Sequence, residues 1–493
     1  MNRKYGSGVR RIVGNLLSKY HNMNKQLKVV FWFTFVGFLQ RGMSIITTPI
    51  FTRVLSTEDY GLFSVFNAYY AVIVIIVTLY LHMGAINNAF VKKPQTNESI
   101  VSAFQSLSLV ISLVFFALAF IFREQLSELM GLPIVVVMVM FFAFIYVEPY
   151  QTWVIYKRYQ FDYVLPVIVS VLISVLTPAI SVIAVLATSG NQGVTRIVSY
   201  TIVSTIIPGF FCYIANYRKS RTFYNKKLWK YALSFNVPLL AHYLSETLLN
   251  QTDRIMINAF LGASEAGIYS VAFSAASLFT IFSSALNTAF VPWTYQKLKE
   301  KNYKAIESMA YVALGLLAII LSMMIMFAPE VVYILAGSKY TGAVYMIPTL
   351  SASAFFGYMY QLFARVEMYY EKKSYTVIST MSAAVLNIVL NAWWVPKFGY
   401  TAAGYSTLIS HILFCVMHYF FFKKVNREFM DSAKLYDFKI LFLISCFVLG
   451  IAFVMTLLYN FIFLRLVIVG CVAVTAFIIR KKIIEIVAML RNR

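Results

Sequence analysis

Apolar runs close to 20 residues long recur along nearly the whole chain, from about Val29 to Ile479. A helix of about 20 residues at 1.5 Å per residue spans the roughly 30 Å hydrocarbon core of a bilayer. Read between charged or Pro/Gly clusters, the runs predict fourteen spans, at about 29–51, 61–83, 100–122, 134–155, 164–187, 195–216, 232–260, 266–291, 308–328, 344–366, 376–394, 402–422, 439–459 and 463–479. The composition agrees: 60% of residues are hydrophobic and 12% charged, and the mean hydropathy is +0.74. These values exclude a soluble enzyme and the disordered, collagenous and disulfide-rich secreted classes. The fold class expected is an all-α polytopic membrane protein.

The chain carries 42 Lys plus Arg against 19 Asp plus Glu, a formal charge of +23. With the N-terminus inside, only Arg53, Arg123, Arg196, Arg254, Lys339, Lys397 and Arg465 fall in outer segments. Arg41 and Arg365 fall within spans, and every other cation lies on the inner side. Positive charge collects on the cytoplasmic side of membrane proteins, so the pattern predicts N-in, C-in topology with an even number of spans. It also accounts for the net charge without a nucleic-acid partner. Residues 1–28 lack the apolar core of a cleavable signal. Val9, Ile12, Val13, Leu16, Leu17 and Tyr20 follow helical spacing with Arg10, Arg11 and Lys19 among them, which fits an interfacial amphipathic helix or a basic tail.

A weak repeat runs through the sequence. Gly61-Leu62-Phe63-Ser64-Val65 opens the second span and Gly267-Ile268-Tyr269-Ser270-Val271 the eighth, 206 residues later. Leu55 and Leu261 precede the two glycines by six positions, and Glu58 and Glu265 lie in the preceding turns. Six spans separate the copies, so the two halves share one orientation. The expected organisation is a basic segment 1–28, a first lobe 29–216, a basic linker 217–231, a second lobe 232–422, a linker 423–438, two further spans in 439–479 and a basic tail 480–493.

Intramembrane charges are costly and mark functional candidates. Arg41 lies 13 residues after Lys28 and 12 before Arg53, near the middle of the first span, on a stripe with Gln40, Ser44, Thr47 and Thr48. It suits anion binding or a structural ion pair. His242, Glu246, Asn250 and Asp253 share one face of the seventh span. Glu246 corresponds in the repeat to Gln40, beside Arg41, and suits proton or Na⁺ coupling or a static bridge to Arg41. Asp253 and Arg254 are adjacent near the outer end of the same span, where a structural role, local pairing or capping, is expected, with Asp253 and His242 otherwise joining Glu246 in ion coupling. Glu148 precedes Pro149, and the proline frees backbone carbonyls for a cation or proton. Arg365, near Glu367 at the inner end of the tenth span, is expected to snorkel and to offer a second anion contact. Asn387, Asn391, His82, His411 and His418 are expected to make helix-to-helix hydrogen bonds. Cys212, Cys415, Cys446 and Cys471 sit in apolar runs without metal-ligand spacing and read as small core residues. Nucleotide-binding, zinc-protease and serine-hydrolase motifs are absent, so neither a cofactor nor a metal nor ATP hydrolysis is expected.

Residues 51–65, FTRVLSTEDYGLFSV, resemble the signature of bacterial polysaccharide-biosynthesis flippases, the Wzx-type members of the multidrug/oligosaccharidyl-lipid/polysaccharide exporter superfamily. Pro238, His242, Ser245 and Asp253-Arg254 resemble that family's seventh helix. Leu261-Gly262 to Gly267-Ile268-Tyr269-Ser270 resemble its 7-to-8 turn, Ala289-Phe290-Val291-Pro292-Trp293 the end of its eighth helix, and Gly399-Tyr400-Thr401-Ala402-Ala403-Gly404 the entry to its twelfth. The resemblance covers about residues 29–480. It implies two pseudo-symmetric six-helix lobes around a central cavity plus two C-terminal helices. The implied substrate is an undecaprenyl-diphosphate-linked oligosaccharide, an O-antigen, capsule or exopolysaccharide precursor, moved across the bacterial plasma membrane by alternating access. The family's cationic cavity maps onto Arg41 and Arg365, with few other deep cations here. Membrane lipids, an H⁺ or Na⁺ gradient and polysaccharide polymerase machinery are the implied partners. The rival readings are a multidrug cation antiporter of the same superfamily, a flippase for lipid II, and a membrane-embedded glycan polymerase or ligase, for which the outer loops are short.

Overall fold

The computed structural model describes residues 23–92, 97–468 and 470. Among them all regular structure is helical, and eleven helices are long and apolar enough to cross a membrane. Helices suit this role because a bilayer core offers no partner for a peptide group, so each N–H and C=O must be satisfied within the segment. The chain is an all-α polytopic membrane protein. Each of the first thirteen expected spans overlaps helix, the second only as far as Val77 and the sixth as two helices joined by a π-helical turn. The fourteenth, 463–479, is described only to residue 468 and at 470, and the amphipathic segment expected before the first span lies, up to residue 22, outside the described residues.

Two compact units make up the chain. The first comprises the described residues up to Phe51 together with Tyr69–Leu244, the second Thr52–Ala68 and the described residues from Ser245 onward. Helices α1 (Lys25–Val54) up to Phe51, the end of α2 (Thr57–Val77) from Tyr69, α3 (Ala85–Lys92), α4 (Asn97–Ile121), α5 (Arg123–Met130), α6 (Ile134–Tyr159), α7 (Val164–Ala187), α8 (Gln192–Thr201), α9 (Ile207–Lys219) and the start of α10 (Lys226–Leu261) build the first unit, while the opening turns of α2 belong to the second. The second contains the rest of α10, α11 (Ala263–Lys299), α12 (Tyr303–Met326), α13 (Ala328–Ala336), α14 (Ile347–Tyr369), α15 (Lys373–Phe398), α16 (Thr401–Phe429) and α17 (Phe438–Leu458).

Polarity is distributed as lipid demands. On α4, Ser102, Gln105, Ser106, Ser108 and Ser112 are buried, while Leu113, Val114, Leu118 and Phe120 are exposed. Leu443, Phe447 and Phe453 likewise stand outward on α17. Cys212 and Cys415 are buried as expected, but Cys446 is exposed on that outward face, and Cys471 lies outside the described residues.

Two departures from regular helical geometry shape the first unit. The second span was expected to run to residue 83, but α2 ends at Val77, and turns occupy 78–84 with Leu79 and Tyr80 at φ of 53° and 49°. Pro208, which has no N–H to donate, comes just after a π-helical turn at Ile202–Ile206. Beside it Gly209 lets the backbone of Tyr146 approach so closely that a Cβ there would stand 2.1 Å from its carbonyl oxygen.

The repeat is visible in the second unit, where the opening turns of α2 and α11 pack together. A Cβ on Gly267 would lie 3.1 Å from the Gly61 Cα, and the hydroxyls of Ser64 and Ser270, 206 residues apart, hydrogen-bond each other. Equivalent residues that meet one another are the contact pattern of a local two-fold axis. The correspondence extends further along the chain. The sequence α4, α5 recurs as α12, α13, and each short helix ends on a glycine with positive φ, Gly131 at 61° and Gly337 at 72°.

Candidate functional site

The most elaborate polar cluster lies in the second unit around Asp253, which is 2% exposed. Its Oδ1 accepts from Asn387 Nδ2 (3.1 Å) and Asn391 Nδ2 (2.7 Å), its Oδ2 from the hydroxyls of Tyr269 (2.5 Å) and Thr407 (2.6 Å). Four helices contribute. The i, i+4 spacing of Asn387 and Asn391 puts both amides on one face of α15, and Asn391 Nδ2 also donates to Asn387 Oδ1 (3.1 Å). Ser406 donates to Asn391 Oδ1, and the Thr407 carbonyl is held by His411 Nδ1 at 2.9 Å.

All four of these donors to Asp253 are uncharged. The expected pairing with Arg254 is corrected, because successive residues point about 100° apart on a helix. Arg254 packs against the Phe273 ring at 4.1 Å and donates to Gln251 Oε1 (2.5 Å). Both carboxylate oxygens are thus saturated by N–H and O–H donors, and the amide oxygens of Asn387 and Asn391 are themselves engaged by Asn391 and Ser406.

The polar face expected on α10 separates along the helix. Glu246 and Asn250 are exposed, Asn250 Nδ2 donating back to the Glu246 carbonyl (2.8 Å). His242, in the first unit, is half-buried and its Nδ1 is enclosed without a hydrogen-bond partner among the described residues. Glu246 lies within electrostatic reach of Tyr360. Arg365 does not snorkel: it is 6% exposed, donates from Nε (3.2 Å) and NH2 (2.8 Å) to Asn287 Oδ1, and lies 5.7 Å from the Tyr358 ring. Glu367, two positions on and so facing another side of α14, pairs with His418 Nδ1 at 2.9 Å.

In the first unit, Gln40, Arg41 and Ser44 are exposed along α1. The hydroxyls of Ser44 and Thr48 bond to carbonyls of their own helix, 2.7 Å in each case. Glu148 is fully buried and its Oε1 lies 2.7 Å from His82 Nδ1. The carbonyl that loses its helical donor to Pro149 is that of Ile145, four positions back, whereas those of Glu148 and Pro149 themselves are engaged. That of Glu148 accepts from Thr152 Oγ1 (2.7 Å) and that of Pro149 from Asn216 Nδ2 (3.1 Å). Of the expected helix-to-helix histidines, His82 and His418 bridge elements, whereas His411 bonds within its own helix.

Several partners carried little signal in the sequence. Tyr269 is part of the repeat motif, Thr407 and Ser406 are ordinary span hydroxyls, and Asn287 and Asn236 are single amides in apolar surroundings.

Comparison with known proteins gives a consistent family. The polysaccharide biosynthesis protein family matches residues 27–296, and the MatE family matches 238–393. Protein 1 of the Lsg locus of Haemophilus influenzae is 28% identical over 262 residues, 51% of this chain and 64% of that protein. A low-salt glycan biosynthesis flippase of Haloferax volcanii is 24% identical over 170 residues, 34% of this chain and 36% of that one. The chain thus aligns with less than two thirds of the length of either relative. Among solved structures, the lipid II flippase MurJ in an inward closed conformation superposes with a TM-score of 0.68 at 16% identity, covering 92% of this chain and 99% of that one. An inward-facing multidrug resistance MATE transporter gives 0.62 at 14% identity, covering 81% and 96%. These likenesses establish the fold, and the match over more than half the chain establishes the lineage: this protein belongs to the polysaccharide biosynthesis protein family.

Proposed function

We propose that the protein is a flippase that moves undecaprenyl-diphosphate-linked oligosaccharide across the bacterial plasma membrane by ion-coupled alternating access. The observation that carries this reading is the polysaccharide biosynthesis match over residues 27–296. The flippase naming of the Haloferax relative supports it. Arg41, with Gln40, contacts the diphosphate or an acidic sugar, since a guanidinium pairs bidentately with phosphate oxygens. Arg365, oriented by Asn287, is a second anion contact. Asp253, with Asn387, Asn391 and Thr407, is the coupling carboxylate. It takes up H⁺ or Na⁺ and thereby alters a four-helix junction, with Glu246 and His242 on the same helix serving ion entry. Glu148, paired with His82, is the further ion-coupling acid, in the first unit. No covalent step is involved, so the chain is not an enzyme. Its membrane is the inner one, with both termini cytoplasmic, and its products feed polymerase machinery outside.

The test is the sidedness of undecaprenyl-diphosphate oligosaccharide in a deletion strain, with and without a plasmid copy, scored by lectin access to intact and opened cells. Intermediates trapped inside and released by the plasmid support the proposal. Intermediates that reach the outer face but stay unpolymerised overturn it in favour of an enzyme. Arg41→Ala is expected to abolish rescue while leaving protein in the membrane, and normal surface glycan in that strain would remove Arg41 from the site. The MatE match over 238–393 favours one second reading, a cation antiporter using the acidic face of α10. Drug resistance conferred by the plasmid, without any change in glycan sidedness, would select it.

A further inference from the structure

The turns at 78–84 between α2 and α3 are held from two sides. Positive φ is uncommon for bulky residues and persists where the surroundings fix it. Here the fully buried Asn236 of α10 donates from Nδ2 to the carbonyls of Leu79 (2.9 Å) and Tyr80 (2.8 Å) and accepts from the Ala85 N–H (2.8 Å). One amide therefore satisfies backbone groups on both edges of the break. From the other side the segment extends His82, 7% exposed, to Glu148 of α6, with Nδ1 and Oε1 2.7 Å apart. The Tyr80 ring lies edge-on to the imidazole at 4.6 Å, and the Tyr243 ring lies against Tyr80 at 5.4 Å.

The chemistry of this pair differs from that of a metal site. Glu148 Oε2 is enclosed and has no hydrogen-bond partner among the described residues. The imidazole holds Oε1. Titratable groups reach the pair as Tyr80 from the broken segment and, behind it, Tyr243 and His242 from α10, whose rings are 5.8 Å apart. From α4 and α9 come the neutral amides Gln105 and Asn216, of which Asn216 donates from Nδ2 both to Gln105 Oε1 and to the Pro149 carbonyl, 3.1 Å each. A metal cation needs several converging oxygens, and the described residues offer no such set here. A neutral imidazole beside an ionised carboxylate would bury a net negative charge with one oxygen unsatisfied, an arrangement strongly disfavoured in a low-dielectric interior. A single added proton removes that charge without leaving separated charges when it sits on the acid, the carboxyl O–H donating to Nδ1 of a neutral imidazole; on the ring it would leave a buried imidazolium–carboxylate ion pair instead.

We propose that His82 and Glu148 form a one-proton binding site that latches the broken second helix. With the proton bound the pair is neutral and the 78–84 segment stays docked. When the proton leaves, the buried charge draws in water, and the turns held between Glu148 and Asn236 loosen. The site is thus a pH-sensitive joint at the end of α2, independent of which substrate the protein moves.

The test uses the full-length protein in lipid nanodiscs without substrate, so it succeeds or fails apart from the flippase assignment. Amide hydrogen exchange of residues 78–84, corrected for the intrinsic pH dependence of exchange, is tracked from acid to alkaline pH. Infrared difference spectra report the carboxyl proton. In the unmodified protein, protection is expected to fall by about tenfold or more as the proton leaves, together with loss of a protonated carboxyl band. Glu148→Gln, a neutral isostere, is expected to stay protected at every pH and to lack that band. His82→Gln, which leaves the acid in place, is expected to move the band and weaken protection at acid pH. Should Glu148→Gln fail to fold, His82→Gln and the unmodified protein decide the matter through the same two signals. Flat protection in the unmodified protein, or a carboxyl band that survives Glu148→Gln, overturns the proposal.

Discussion

Each unit buries an acid within its helices, and the two acids are stabilised in opposite ways. Asp253 in the second unit receives four hydrogen bonds from two amides and two hydroxyls, and its basic neighbour Arg254 is turned to Phe273. Glu148 in the first unit has an imidazole on one oxygen and, among the described residues, nothing on the other. The difference sets a carboxylate saturated by donors in one unit against an acid with one idle oxygen in the other. The second unit also has a His–Glu pair, His418 with Glu367. There both carboxylate oxygens lie within 3.0 Å of Nδ1, and Tyr360 stacks on the ring at 5.2 Å, so the carboxylate has no idle oxygen.

The largest effect separating the two acids is expected at Asp253. Asp253→Ala removes the common acceptor of four buried donors and should cost about 4 kcal/mol, near the upper end for single substitutions. Asp253→Asn keeps the shape but turns four charge-assisted bonds into neutral ones, and about 2 kcal/mol is expected. Thermal unfolding in detergent, with recovery of monodisperse protein, measures both. Equal stability of Asp253→Asn and the parent would show that Asp253 is not held as an anion, and the contrast with Glu148 would collapse.

Equivalent glycines sharpen the comparison at a second point. Gly131 and Gly337 close α5 and α13 at corresponding places in the repeat, yet Gly131 has ψ of 33° and Gly337 ψ of −169°. The two corners feed different elements: Gly131 leads within three residues into α6, while Gly337 leads into the 3₁₀ segment Ser338–Met346. The first conformation is left-handed helical and open to Asn, whereas the second is close to glycine-only. A Cβ at Gly337 would meet no atom within 4 Å, so any cost is that of the backbone alone. Gly337→Ala should therefore cost about 2 kcal/mol and Gly131→Ala about 1 kcal/mol, with Asn rescuing only position 131. Rescue at both positions would mean that the two units turn these corners alike.

The spans were legible because bilayer thickness imposes a length on every apolar run. The repeat was legible because Gly61 and Gly267 must be small where their helices touch. The break at 78–84 was not, since its cause is an amide more than 150 residues away, Asn236, placed there only by the fold. The face on α10 was half legible. Helical spacing aligned Glu246 with Asp253, but an angular projection ignores height. About 10 Å along the helix the same face passes from open surroundings at Glu246 to cover by α15 and α16 at Asp253. Arg365 shows the same limit. Its closeness to Glu367 in sequence suggested a shared environment, while Asn287 of α11 and His418 of α16 divide the two residues between them.

The smallest stability effect is expected where burial of a charge would suggest a large one. Glu148 is fully buried and paired, and breaking a buried ion pair commonly costs about 3–5 kcal/mol because a lone charge remains. If the His82–Glu148 pair is neutral with one shared proton, Glu148→Gln leaves no lone charge. Its amide can still bond to Nδ1, and the enclosed second position is as unsatisfied by an N–H as it was by oxygen. The expected cost is then only about 0.5 kcal/mol, a quarter of that for Asp253→Asn in the same assay at the same pH. A cost at Glu148 equal to that at Asp253 would mean that both acids are held as anions, and the first unit would then need a counter-charge that His82 supplies as a fixed imidazolium.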